Sequence, residues 1–460
     1  MKLRNMSDAG SPTAVAPVAH FSTGYRWYVV LLLMASFAFY AANRVVLGVL
    51  VQPIQSTFGL TDATMGLVGG VLITGTYALG IIPLGVLADR LNRRNLLAIT
   101  ISLWSVLIAL SGLTRSIVQF AAAQMLASLN ESGGAPAMSS LISDLFPRAR
   151  RGLPTSVWFS GVAIGSFAGF AVGGYVAQEL GWRATLVALG APCLLIGLLV
   201  RASVRETRRG MADGSHGAEP RSGGLRETLR FYAAQKALRH ACYALCLSAL
   251  SFMGPIYWLT AFFQRAHGTS LAETGFILGI IFGVTNIVGG PVGGILMDRL
   301  GRRDVRWHGW LGAAVMITSA IPQVGIYVLH STAAAFAACA IWQLVSTAVS
   351  PVNIAIINNL ASAQFRALSL SLGFLSFYLI GAGLGSQLIG VSSDWLATRW
   401  GLGSSSLGVA CLAMVVFCFW AALHFLIVAR HLKEGYSIAA IWEDSSPAVT
   451  ANLGGKQVSL

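Results

Sequence analysis

The chain has 460 residues, of which 55% are hydrophobic and 10% charged, with a formal net charge of +14. A soluble globular chain carries about 25% charged residues, so this one has too little charge to cover a water-facing surface. That excludes an ordinary soluble enzyme, and the placement of the basic residues, described below, excludes nucleic acid as a partner.

Residues 1–24 form a polar, small-residue tail without the short apolar core and cleavage site of a secretory signal, so the first apolar segment must direct insertion. Twelve apolar runs follow, each long enough to cross a ~30 Å hydrocarbon core. They lie near 27–48, 65–87, 96–114, 117–141, 155–177, 185–203, 239–263, 272–297, 309–329, 332–357, 368–391 and 406–429. The first carries Asn43 and Arg44 inside FAFYAANRVVLGVL. The second ends in GVLADRLNRR from Gly85, which brings Asp89, Arg90, Arg93 and Arg94 to its end. The fourth places Glu131, in LNESGGAPA, near the midplane, and is followed by Asp144 with Arg148, Arg150 and Arg151. The fifth has Gly161, Gly165, Gly169 and Gly173 at four-residue spacing, a face that admits a close neighbouring helix. It is expected to form a seam on which two halves rock.

Residues 204–237 cannot span a membrane. Residues 210–224 read as a flexible linker. Residues 225–237 read as an amphipathic helix with Leu225, Leu229 and Tyr232 toward lipid. The eighth run ends in GILMDRLGRR from Gly294, a second copy of the earlier motif, with Asp298, Arg299, Arg302 and Arg303. Two copies of one helix-end signature about two hundred positions apart indicate a duplicated membrane protein. The expected organisation is a cytoplasmic tail (1–24), a six-helix bundle (25–203), the linker with its amphipathic helix (204–237), a second six-helix bundle (238–430) and a cytoplasmic tail (431–460). The fold class is all-α, with twelve transmembrane helices in two pseudo-symmetric bundles.

Of the 31 Lys and Arg, all but Arg44, Arg115, Arg183, Arg265 and Arg399 fall at the termini or beside alternate connections. This is the positive-inside pattern and predicts that both termini are cytoplasmic. The charge therefore reports topology and contact with anionic lipid.

Ionisable groups inside the membrane are costly and by default mark an ion or substrate path. Glu131 and Arg44 are therefore the leading coupling or substrate-binding candidates, with Asn43 beside them. The alternatives are a permanently neutral Glu131 and an Arg44 that snorkels to the headgroups. Asp89, Arg90, Arg93, Asp144, Asp298 and Arg299 are gating candidates, a latch that breaks and reforms as the halves move. They could equally be solvated helix ends. Tyr257, Trp258, Asn286, Asn358 and Tyr378 are candidates for the cavity wall, though aromatics and amides on membrane helices often only pack. The six cysteines all lie in predicted helices and lack metal-ligand spacing with histidine, so no metal or redox role is assigned. No phosphate loop, zinc motif or nucleophile elbow is present. No cofactor and no enzymatic activity are expected.

The motif after the second and eighth runs resembles that of the major facilitator superfamily. The likeness narrows to its spinster-like branch through FYAANRVVLGVLVQPIQSTFGL, NESGGAPAMSSLISDLFPRARRG, GWRATLVALGAP with VRETRRG, FFQRAHGTSLAETG and DRLGRRDVRWHGW. The resemblance implies two bundles rocking around a central cavity. Two departures stand out: Asn43 replaces the branch's usual acid, and Gln124 its usual arginine in the fourth span. Any proton coupling must then run through Glu131. The expected function is secondary active transport of a small amphiphilic or organic anion by a monomer in a bacterial inner membrane. A proton symporter or facilitator for small carboxylates is the alternative within transport. A non-transporting membrane sensor is the alternative outside it.

Overall fold

The computed structural model describes residues 21–207, 211–213, 225–362 and 365–444; within these, the side chains at 82, 86, 88–90, 148, 213, 225, 366, 367 and 439–444 are not described. Every regular element among them is helical. Ten segments are long and apolar enough to cross a membrane. One of them, Gly152–Ser203, is two helices joined at Gly181, whose φ of 83° and ψ of 164° break the helix at an angle that a residue with a Cβ rarely adopts. A further crossing is interrupted, as Ile117–Ser132 and Gly134–Leu145. The architecture is thus consistent with the twelve expected spans.

We label the crossings α1 to α12. In the first half, α1 is Thr23–Val49, α2 runs from Asp62 through a π-helical stretch Gly66–Leu72 into Ile73–Arg90, and α3 is Arg93–Ser111. The interrupted pair is α4, and the arms of Gly152–Ser203 are α5 and α6. In the second half, α7 is Lys236–His267, α8 Leu271–Gly301, α9 Trp307–Val328, and α10 comprises Thr332–Thr347 and Val349–Leu360. Arg366–Ser376, the π-helical Phe377–Leu384 and Gly385–Trp400 make α11; Ser406–Ala413 and Val416–Asp444 make α12. The last helix therefore runs beyond the expected boundary at 430. Polar caps start several helices: Ser22 accepts from the Tyr25 N–H, Asn92 from Asn95 and Ser270 from Glu273.

The glycine face of α5 is not the seam between the halves. A Cβ on Gly161 would sit 2.6 Å from the Met34 carbonyl, and Gly165, Gly169 and Gly173 likewise meet α1. This face packs α1 and α5 within one half. The α5–α8 approach between halves is made by another face, where a Cβ on Gly174 would lie 2.8 Å from the Leu271 carbonyl of α8. Four-residue spacing shows that a neighbour comes close, but not which neighbour it is.

A surface helix, Leu225–Ala234, precedes α7. Leu229 is exposed as expected, but Tyr232 is turned inward and its hydroxyl donates to the Ser369 carbonyl at 3.0 Å. Phe231 is fully buried.

Candidate functional site

α1 carries Arg44 and α4 carries Glu131 into a cavity of about 380 Å³ between the halves. Arg44 Nη2 lies 2.6 Å from Glu131 Oε1, and Nε donates to the same oxygen at 2.7 Å. The third arm of the guanidinium, Nη1, donates to the Tyr378 hydroxyl of α11 at 2.6 Å. The cation also lies over the Tyr77 ring, 4.3 Å from its centroid, and 5.0 Å from the Tyr378 centroid. Glu131 is 5% exposed and Arg44 36%. The carboxylate is thus shielded behind the cation, and the cation faces open space. One guanidinium joins an acid of the first half to a phenol of the second, so an anion entering the cavity competes with both.

Of the expected cavity residues, Tyr257, Asn286 and Tyr378 line it, as does Asn43. The Tyr257 hydroxyl reaches the Met65 carbonyl across the halves at 3.3 Å. Asn286 is 3.4 Å from Ser166 Oγ, also across the halves. Trp258 does not line the cavity. It is fully buried and its indole N–H donates to the Ser386 carbonyl at 3.0 Å, so it packs α7 against α11. Asn358 is half-buried on α10 and lies away from the cavity wall. Gln343, Tyr77 and Ser128 add to the polar lining, with Tyr40, Thr74, Ser166 and Ser386. A larger depression of about 790 Å³ lies over Gly112–Arg115 and 183–192, but all its lining comes from the first half. It cannot respond to motion between the halves, and the smaller cavity is the better site.

The gating candidates divide. Arg93 is 2% exposed and lies 2.5 Å from Asp144. It also reaches Glu206 at 3.5 Å and donates to Ser140 Oγ at 2.6 Å and the Thr207 carbonyl at 2.9 Å. These partners belong to the first half and to the segment that leaves it, and none to the second half. The pair therefore ties α3, α4 and the segment following α6 together rather than latching one half to the other. Asp298 and Arg299 are exposed and form no ion pair with a described residue. The side chains of Asp89 and Arg90 lie outside the described ones.

A cross-half cluster sits instead at the end of the bundle away from the chain termini, where no site residue was expected. Arg265 of α7 grips Asp62 at the start of α2 with two nitrogens, at 2.7 and 2.8 Å. Gln55 bonds both partners, at 2.7 Å to Asp62 and 2.9 Å to Arg265. Ser393 of α11 donates to Asp62 at 2.7 Å, and Asp394 accepts from the backbone N–H of Asp62 and Ala63 at 3.2 and 2.8 Å. The bidentate fork makes this a strong, oriented pair. Among the described residues, every hydrogen bond between the halves lies at this end or in the middle of the bundle. The bundle is closed at the end away from the termini.

Two half-bundles around a central cavity, joined by a charged cluster at one end, define a multi-pass membrane transporter. The chain belongs to the Major Facilitator Superfamily, whose family model matches residues 32–386. It is similar to an MFS-type efflux pump of Mycolicibacterium smegmatis, 27% identical over 83% of this chain and 88% of that one. It is also similar to a probable galactarate/D-glucarate transporter of Bacillus subtilis, 22% identical over 60% of this chain and 66% of the other. Its fold matches the crystal structure of a bacterial homologue of the human lysosomal transporter Spinster in an inward-facing, unoccupied conformation. The TM-score is 0.81 at 24% identity, covering 90% of this chain and 99% of that one.

Proposed function

We propose that the protein moves a small organic anion by alternating access, holding it at Arg44 in the central cavity. The observation that carries this reading is the Arg44–Glu131 pair, with the cation facing the cavity and the acid behind it. A substrate carboxylate and the Glu131 carboxylate compete for one guanidinium. A proton on Glu131 releases Arg44 for the substrate, and loss of that proton returns Arg44 to Glu131. The scheme couples one proton to one anion without a second acid in α1, where Asn43 stands. The probable dicarboxylate transporter among the relatives fits this chemistry. The basic loops support an orientation with both termini in the cytoplasm of a bacterial inner membrane, and in that orientation the cluster at Asp62 closes the outer side.

The test is uptake of radiolabelled galactarate, benzoate and lysophosphatidylcholine into vesicles reconstituted with the purified protein. Uptake of a carboxylate that is lost in Arg44→Ala supports the reading. Uptake of the zwitterionic lipid alone, unchanged in Arg44→Ala, contradicts it.

A further inference from the structure

Two amides among the cavity's lining residues carry a buried, unused acceptor. Asn43 on α1 is 5% exposed and Gln343 on α10 is 2% exposed. Their oxygens, Oδ1 and Oε1, have no hydrogen-bond partner among the described residues, and both residues line the cavity. Buried polar atoms without partners are rare, and one in a site calls for a partner that the protein does not itself supply. Asn43 stands beside the cation in the first half. Gln343 stands in the wall contributed by the second. Between them the lining is largely aromatic, with Phe37, Tyr77, Phe252 and Phe377.

We infer that the substrate is a hydroxylated organic acid, whose carboxylate takes Arg44 and whose hydroxyl donates to Gln343 Oε1, which makes Gln343 a specificity residue. This rests on the anion site proposed above. Neutral acceptors suit a neutral donor. An ammonium would need an acid, and the one acid lining the cavity, Glu131, is already held by Arg44. The cavity volume, about 380 Å³, is near the small end of the ligand-site range of roughly 300–1,000 Å³, which suits a compact acid. A hydroxy acid held by its carboxylate at Arg44 and its hydroxyl at Gln343 also links the two halves, so that the halves sense one molecule together.

A site built to bond a hydroxyl discriminates strongly against the analogue lacking it. The experiment is a titration of the full-length protein in nanodiscs with benzoate and with 3,4,5-trihydroxybenzoate. Wild type should bind the trihydroxy acid at least about tenfold more tightly. Gln343→Met keeps the unbranched side-chain length and removes the amide. It should bring the ratio to about threefold or less with benzoate affinity unchanged, the signature of one lost hydrogen bond. Arg44→Ala should weaken both acids. Equal binding of the two acids by wild type, with both weakened in Arg44→Ala, removes this inference and leaves the anion site standing. An equal loss for both acids in Gln343→Met has the same meaning. Failure of both acids to bind wild type contradicts the anion site, and this inference with it.

Discussion

At the scale of single residues, the site rests on a cation that uses all three of its nitrogens at once. The planar guanidinium holds Glu131 with two nitrogens and Tyr378 with the third. Lysine keeps the charge but lacks that fork. Arg44→Ala should therefore weaken binding of a carboxylate substrate by about ten- to a hundredfold, the range for a lost charged hydrogen bond. Arg44→Lys should recover only part of this. Equilibrium binding to the purified variants checks it, and full recovery by lysine would show that charge alone matters. The pairing of Arg44 with Glu131 was legible in the sequence because intramembrane charges are few and must find one another. Trp258 was not legible, because an apolar helix gives no sign of which aromatic faces a cavity and which faces a neighbouring helix. The Asp62–Arg265 pair was hidden for a different reason. Charges at helix ends are ordinary, and nothing in the local pattern joins positions so far apart in the chain.

At the scale of elements, the same helix-end motif has unequal roles. Around Arg93 it is an internal tie of the first half: the side chain is buried, and removing it leaves Asp144 without its 2.5 Å partner. Loss of one member of a buried pair costs about 3–5 kcal/mol. Arg93→Ala should therefore lower the melting temperature of the purified protein clearly, with transport falling in proportion to folded protein. An unchanged melting temperature with lost transport would return Arg93 to the gate. The π-helical stretches of α2 and α11 meet across the halves, where a Cβ on Gly70 would sit 2.6 Å from the Gly383 carbonyl. Tyr378, the partner of Arg44, belongs to the second of these stretches. Wide turns of this kind often occur at functional sites, but residue periodicity does not reveal them. Hydropathy made the spans visible, and duplication made the two halves visible. Which faces of the glycine-bearing helices meet depends on contacts between distant segments, which periodicity does not encode.

At the scale of the whole molecule, the closed end is held by Asp62, Gln55 and Arg265 with Ser393 and Asp394. These contacts exist in one state of the cycle, so weakening them shifts the population toward the other. In Asp62→Asn, an impermeant maleimide added from outside should reach a cysteine placed at Asn286, in the cavity, several times faster than in the parent. Equal labelling would mean that the cluster does not hold the outer side shut. The same reagent should label a cysteine at Thr398 from outside and spare one at Arg302, and the reverse result would invert the topology. The central claim is that protonation of Glu131 and binding of an organic anion at Arg44 occur together at this pair. Its most direct test is accumulation of a carboxylate, shown to be transported, in vesicles under an imposed pH gradient, compared with tracer exchange at equal pH. Glu131→Gln should abolish gradient-driven accumulation while retaining exchange. A Glu131→Gln protein that still concentrates the acid when the gradient is applied would contradict the account.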